Sequence, residues 1–266
     1  MIYVNDRAPD RTMKTLVTYA VEAEFVPWRA LCDLEEIVIN DVTAHRSQIG
    51  RATVDFVATG MGAENASRVA KTVISTAYSF CIASGFAGAL KSSVRLGDVV
   101  VAEKVQRDGP GGIARCARNL VTRAYQDGAI RIATLLTADH VVNSAAEKQR
   151  LAPFAEAVDM ESLGILREAQ SKSVPAVAIR VISDSFDRDL PVDIDTLVDA
   201  QGNVRIGGVV RYVAQHPLVL PALVRLGRES KTAAQALANF LEAYIKKLSF
   251  ATHGWPPPEL QEVAAT

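Results

Sequence analysis

Short runs of apolar and β-branched residues recur along the first two thirds of the chain, separated by stretches whose apolar positions follow a helical period. Residues 15–19, 36–39, 54–58, 80–83, 99–102, 130–136 and 176–182 read as strands. Several are apolar at successive positions, the pattern of a strand covered on both faces. Between them, residues 63–78 carry Ala66, Val69, Ala70, Val73 and Ala77 at helical spacing, and residues 161–171 carry Leu163, Ile165, Leu166 and Ala169. This interleaving predicts a single α/β domain with a central mixed sheet flanked by helices. Such sheets place ligands at the carboxyl ends of their strands.

Strand-like runs stop near residue 191, and residues 209–214, 218–226 and 232–248 read as helical. A domain spanning 14–250 is therefore predicted, with 191–248 as its helical C-terminal part and 1–13 and 251–266 as terminal extensions. Residues 72–90 lack charge and are long enough to test as a membrane span, but Ser75, Thr76, Ser79, Ser84, Gly85 and Gly88 make a poor one. They read as a helix end, a buried strand and a glycine turn.

With 266 residues, 49% of them hydrophobic, the chain can bury one large core. Its 29 basic and 30 acidic residues leave a formal charge of -1, so no global field recruits nucleic acid or an anionic membrane. Cys32, Cys81 and Cys116 form no CxxC pair, and His45, His140, His216 and His253 are scattered. Neither a disulfide framework nor a metal site is expected, and no cofactor. The first residues lack the basic-then-apolar pattern of an export signal, and a cytoplasmic location is expected.

Four strand ends carry candidate chemistry. Tyr19-Ala-Val-Glu-Ala-Glu-Phe25 places Glu22 and Glu24 in a first helical turn, which the helix dipole favours without any function. Thr59-Gly-Met-Gly-Ala-Glu-Asn65 is a glycine turn whose N–H groups suit an anion or a sugar hydroxyl, but it lacks the third glycine of a dinucleotide fingerprint. In Ala83-Ser-Gly-Phe-Ala-Gly-Ala-Leu90 the glycines admit a flat ligand. Val158-Asp-Met-Glu161 and, after a helix, Arg180-Val-Ile-Ser-Asp184 form the richest set. An aspartate ending an apolar strand is either an N-cap or an acid whose charged form is disfavoured by desolvation.

Together these segments, from about Thr15 to Asp187, resemble the superfamily of purine nucleoside phosphorylases and methylthioadenosine/S-adenosylhomocysteine nucleosidases. The most specific parts are Asp159-Met160-Glu161, Arg180-Val-Ile-Ser-Asp184, and Ser84-Gly-Phe-Ala-Gly88 followed by Leu96-Gly-Asp-Val-Val100. The resemblance implies that Asp184 protonates the purine at N7 with Ser183 in support. It implies that Glu161 holds the ribose 2′- and 3′-hydroxyls, and that Met160 packs on the sugar. It places Glu24 where water is activated, Phe86 and Ala87 near the base, and Gly62 in the turn at the ribose side. Breaking an N-glycosidic bond puts positive charge on the sugar and negative charge on the base, so Asp184 must start neutral and Glu24 charged. The resemblance further implies a small-molecule purine nucleoside as partner, no nucleic acid, and a homo-oligomer, commonly a dimer.

The chain also departs from the pattern. Ala20-Val-Glu-Ala-Glu24 stands where phosphorylases have a glycine-aspartate-proline turn and an arginine, which favours hydrolysis, although Arg29 and Arg68 keep phosphorolysis open. Val141 stands where nucleosidases stack an aromatic ring on adenine, and Asp159 replaces a glutamate. The tail, with Val198-Asp-Ala-Gln-Gly-Asn-Val-Arg205 and the apolar run from Pro217, resembles that of hopanoid-associated phosphorylase-like proteins. That likeness implies an adenine nucleoside with a bulky apolar 5′-substituent, which residues 209–227 would help to hold; the apolar run from Pro217, flanked by Arg211, Arg225 and Arg228, suits peripheral contact with lipid, a greasy ligand or packing on the core. A non-catalytic nucleoside-binding protein is a further alternative. A dinucleotide-dependent oxidoreductase is disfavoured by the incomplete glycine motif.

Overall fold

The computed structural model describes residues 13–107, 112–191, 216 and 219–251. The expected stretch at 209–214 lies outside them, as do most of the terminal extensions. The architecture is the expected one: a ten-stranded mixed sheet flanked by helices.

β1 (Lys14–Tyr19) runs parallel to both β4 (Ala52–Ala58) and β5 (Phe80–Ala89). β4 continues through antiparallel β3 (Val42–Ile49) to β2 (Glu35–Ile39) at the edge. On its other side β5 pairs in parallel with β10 (Ala176–Asp184), which lies antiparallel to β6 (Val99–Arg107). β6 pairs in parallel with β8 (Ile130–Thr137), and β8 with β9 (Ala157–Asp159). The far end of β5 then meets β9 through Gly88↔Val158 and Ala89↔Ala157. The pairings β5–β10–β6–β8–β9–β5 thus close a ring, with short β7 (Ile113–Arg115) attached to β6.

Three strands are additions to the sequence reading. β3 escapes because its polar residues mask the alternation, yet the two-residue turn Asn40-Asp41, with φ of 48° and 67°, is of the kind that joins hairpin strands. β7 and β9 are three-residue strands too short to show a period. Gly85 and Gly88, expected in a turn, lie inside β5.

All residues from Ala176 to Ile182 are buried, which requires cover on both faces of β10. α6 (Ser162–Ser171), α4 (Arg118–Gln126) and the C-terminal helix, α7 (Leu220–Ala251), pack on that strand. α3 (Ala63–Val73) packs on α6 and stops earlier than expected, with Ile74 already extended. α7 is one helix where the sequence suggested two: Gly227 alone costs about 1 kcal/mol, too little to break it, and Pro221 sits in its first turn, where no N–H is needed. Its second half is anchored by Leu237, Leu241, Tyr244, Ile245 and Leu248, with the Tyr244 hydroxyl donating to the Leu120 carbonyl at 3.0 Å. Leu220 and Val224 near its start are exposed. No described helix is long and apolar enough to cross a membrane.

The buried Asp55 on β4 secures the edge hairpin to the core. It accepts from Arg46 Nε and Nη2 at 2.7 and 3.0 Å and from the Tyr78 hydroxyl at 2.8 Å, with Lys14 Nζ at 3.2 Å. Burial pulls its carboxyl up, and Arg46, Tyr78 and Lys14 outweigh that and hold it below the ordinary value. Asp55→Ala should therefore destabilise the protein by about 2–4 kcal/mol in urea titrations at neutral pH. A depressed folded pKa contributes stability that is lost as pH falls through it, so the gap between wild type and variant should narrow below about pH 4.

Candidate active site

A cavity of about 480 Å³ opens where β1 and β10 end and where β9 delivers its last residue. Of the residues singled out from the sequence, Glu24, Phe86, Ala87, Val141, Asp159, Met160, Glu161, Ser183 and Asp184 all line it. Gly62 and Ser84 do not: Ser84 is buried within β5, and Gly62 acts on Glu161 instead.

The sequence reading missed the group that organises one side of this cavity. Arg180, on the middle of β10, is wholly buried, and its guanidinium reaches Asp159 Oδ2 at 2.7 Å and Glu161 Oε2 at 3.5 Å. It also donates to the Ser162 hydroxyl from Nη2 and Nε at 2.9 and 3.1 Å. Asp159 completes its own shell with the Thr137 hydroxyl at 2.7 Å and the Ser162 amide at 3.1 Å. A methyl group on Gly85 would collide with Arg180 Nη1 and Glu24 Oε1, and its φ of +141° already disfavours a side chain. Gly85 therefore permits the cation and Glu24 to share that space. A lone arginine within an apolar strand was the available signal for this group.

Glu24 lies in the four-residue helix α1 (Glu22–Phe25) that follows β1. Its Oε2 accepts from the amides of Ala20 and Val21 at 2.7 and 3.3 Å, and Oε1 from the Phe86 amide at 2.8 Å. Burial raises its carboxyl above the ordinary value, against the opposing pull of Arg180 and these three amides. Glu161 accepts from the Gly62 amide at 3.0 Å, and burial raises its carboxyl too, again against Arg180.

Asp184 stands apart from this group, past a bulge between Ile182 and Asp184, opposite Gly88. Its Oδ1 accepts from the Ser183 hydroxyl at 3.1 Å. The apolar surroundings expected for it are interrupted by a cation: Oδ2 is ion-paired with Lys148 Nζ at 2.5 Å. Lys148 belongs to α5 (Ala145–Leu151), a helix without a clear apolar period in the sequence, so no local pattern marked it.

The two arginines considered for phosphate lie elsewhere. Arg29 pairs with Glu22 at 2.6 Å on the surface, and Arg68 donates to Asn65 Oδ1 and lines a separate groove with Lys71 and Arg107. Among the described residues, no lysine or arginine lines the cavity. Its apolar side is formed by Val141, Val142, Leu190 and Leu226, the last from the first turns of α7.

Comparison with known proteins gives a consistent picture. The family model for the phosphorylase superfamily matches residues 16–213. A 5′-methylthioadenosine/S-adenosylhomocysteine nucleosidase of Staphylococcus carnosus is 22% identical over 195 residues, 63% of this chain and 84% of that protein. The nucleosidase of the same name from Neisseria meningitidis, solved with methylthio-immucillin-A, superposes with a TM-score of 0.67 at 20% identity, covering 88% of this chain and 99% of the other. Futalosine hydrolase of Helicobacter pylori gives a TM-score of 0.69 at 18% identity over 89% of this chain and 98% of the other. At these identities the structural likeness establishes the fold.

Removing the Arg180 cation leaves Asp159, Glu161 and Glu24 buried without their shared counter-charge. Arg180→Met should cost about 3–5 kcal/mol in chemical denaturation at neutral pH. A loss below about 1 kcal/mol would show that the carboxylates are compensated by other means.

Proposed function

The chain belongs to the phosphorylase superfamily, and we propose that it cleaves the N-ribosyl bond of a purine nucleoside, with water as the acceptor and adenine as the base released. The observation that carries this reading is the composition of the cavity, in which Glu24, Glu161 and Asp184 face one space that no described lysine or arginine lines. A phosphate dianion placed there would meet carboxylates whose described cations, Arg180 and Lys148, are already paired, whereas water needs only a base.

In this reading Glu161 and Met160 hold the ribose, Asp184 donates a proton to the leaving base, and Glu24 accepts a proton from the attacking water. The three amides on Glu24 favour its anionic form and fix its direction, so it is prepared for that task. Phe86 and Ala87 border the base, with Val141 in place of an aromatic stack. The relatives named as nucleosidases and as futalosine hydrolase support hydrolysis of a purine nucleoside by a chain of this fold.

We further assign the apolar wall of Val141, Val142, Leu190 and Leu226 to a bulky apolar 5′-substituent. The exposed Leu220 and Val224 extend apolar surface along the same helix. This supports the polycyclic-lipid type of substituent implied by the tail's resemblance to hopanoid-associated proteins.

Base release should proceed in phosphate-free buffer and yield the free sugar; a requirement for phosphate with formation of a sugar 1-phosphate would establish phosphorolysis instead. Glu24→Gln should slow turnover by about 10² or more. Because Glu24 must be unprotonated and burial raises its carboxyl, wild-type activity should fall as pH drops through a value above the ordinary glutamate range of about 4.3, and the variant should lack that limb. Asp184→Asn should bind nucleoside but lose about 10²–10⁴ in turnover; near-normal cleavage of an ordinary purine nucleoside by this variant would place the acid elsewhere. Leu226→Asp should lower kcat/KM for adenosines with large apolar 5′-groups by about 10-fold or more relative to adenosine itself.

A further inference from the structure

Lys148 occupies an inward position of α5, and its side chain is 1% exposed. Its ammonium has three donors, and all three are used: on Asp184 Oδ2 at 2.5 Å, on the Ser185 carbonyl at 2.8 Å and on the Arg188 carbonyl at 3.2 Å. A buried lysine is costly unless its charge is matched, so this placement calls for a reason beyond filling space. Lys148 is absent from the cavity lining and reaches the cavity through Asp184. The segment it grips is tied to the start of α5 at two further points, the Ala145 amide on Asp189 Oδ1 at 2.7 Å and the Leu190 amide on the Asn143 carbonyl at 2.8 Å. Leu190 is part of the cavity wall.

We propose that Lys148 is a positioning residue for Asp184, an inference that rests on the nucleosidase reading above. By engaging Oδ2 it leaves Oδ1, already bonded to the Ser183 hydroxyl, as the oxygen offered to the base. Before the reaction Asp184 takes a proton from solvent on Oδ1, while Oδ2 still accepts from Lys148; as the base departs, that proton passes to a purine nitrogen and the C1′–N electron pair retreats onto the base. Water oxygen bonds to C1′ and gives a proton to Glu24. Asp184 is left as a carboxylate beside an ammonium that has kept all three protons, and it is reprotonated from solvent when Glu24 releases its own. The fixed charge of Lys148 thus lies where negative charge develops, the arrangement that lowers a barrier without reorganisation.

The test compares Lys148→Met with wild type on adenosine and on p-nitrophenyl riboside, whose activated leaving group needs no acid. Turnover of adenosine should fall by about 10², and that of the nitrophenyl riboside by less than about 3-fold. In an Asp184→Asn background the same change should cost less than about 3-fold on adenosine. Equal losses on both substrates, or an undiminished loss in the Asp184→Asn background, would overturn the proposal and leave Lys148 a structural residue. Lys148→Gln keeps donors for the carbonyls but no charge; it should behave as Lys148→Met does, and it serves if the methionine variant does not fold.

Calorimetric titration with free adenine needs no turnover and separates the two readings. Lys148→Met should weaken adenine binding by about 5-fold or more in the wild-type background and leave it unchanged in Asp184→Asn. If wild type releases no base from any nucleoside, the nucleosidase reading falls, and the adenine titration still decides whether Lys148 acts through Asp184. Equal weakening in both backgrounds, or none in either, overturns it.

Discussion

Everything on the side of the cavity that carries Glu24, Asp159 and Glu161 depends on one buried guanidinium. Arg180 stands in the middle of an otherwise apolar strand and is the shared counter-charge for Asp159, Glu161 and, at longer range, Glu24. A buried cation of this kind needs anions, and buried anions need it, so the group is stable only as a set. Its demands reach outward into the fold. Gly85 must lack a side chain, Ser162 must open α6 with a hydroxyl, and Thr137 must end β8 beside Asp159.

The closed ring of strand pairings is what allows this set to assemble. Arg180 comes from β10, Asp159 from the end of β9 and Phe86 from β5, and each of these strands is paired with a neighbour in the ring. Glu24 and Glu161 then project from short segments that follow β1 and β9, where the backbone is free to turn and its amides are free to donate. Rigid strands fix where the carboxylates sit, and turns fix how they point.

Asp184 is held by different means. Although it belongs to the same strand as Arg180, its ion-pair partner is Lys148, contributed by a separate helix. The cavity therefore has two acidic regions with independent cations, so that the two can differ in protonation. The cavity also has an apolar lining that includes Leu226, from a helix whose far half is anchored to the core and whose near end carries exposed Leu220 and Val224.

The alternation of apolar strands and helices, and the carboxylates at their ends, were legible in the sequence because both follow from local periods and from residue types that sit at element termini. Nine of the eleven residues singled out line one cavity, since strand ends in such a sheet converge. Short β7 and β9 and the polar hairpin strand β3 were not legible, because pairing with neighbours defines them rather than any period of their own. Nor was the continuity of α7, which depends on packing of its second half outweighing a single glycine. Above all, the cations were decided by tertiary structure. Nothing near Lys148 in the chain points to Asp184, 36 residues away, and an arginine in an apolar strand signals a buried charge without naming its partners. Local sequence determines which groups are present and on which elements, but electrostatic pairing is a property of distance in space, which only the folded chain supplies.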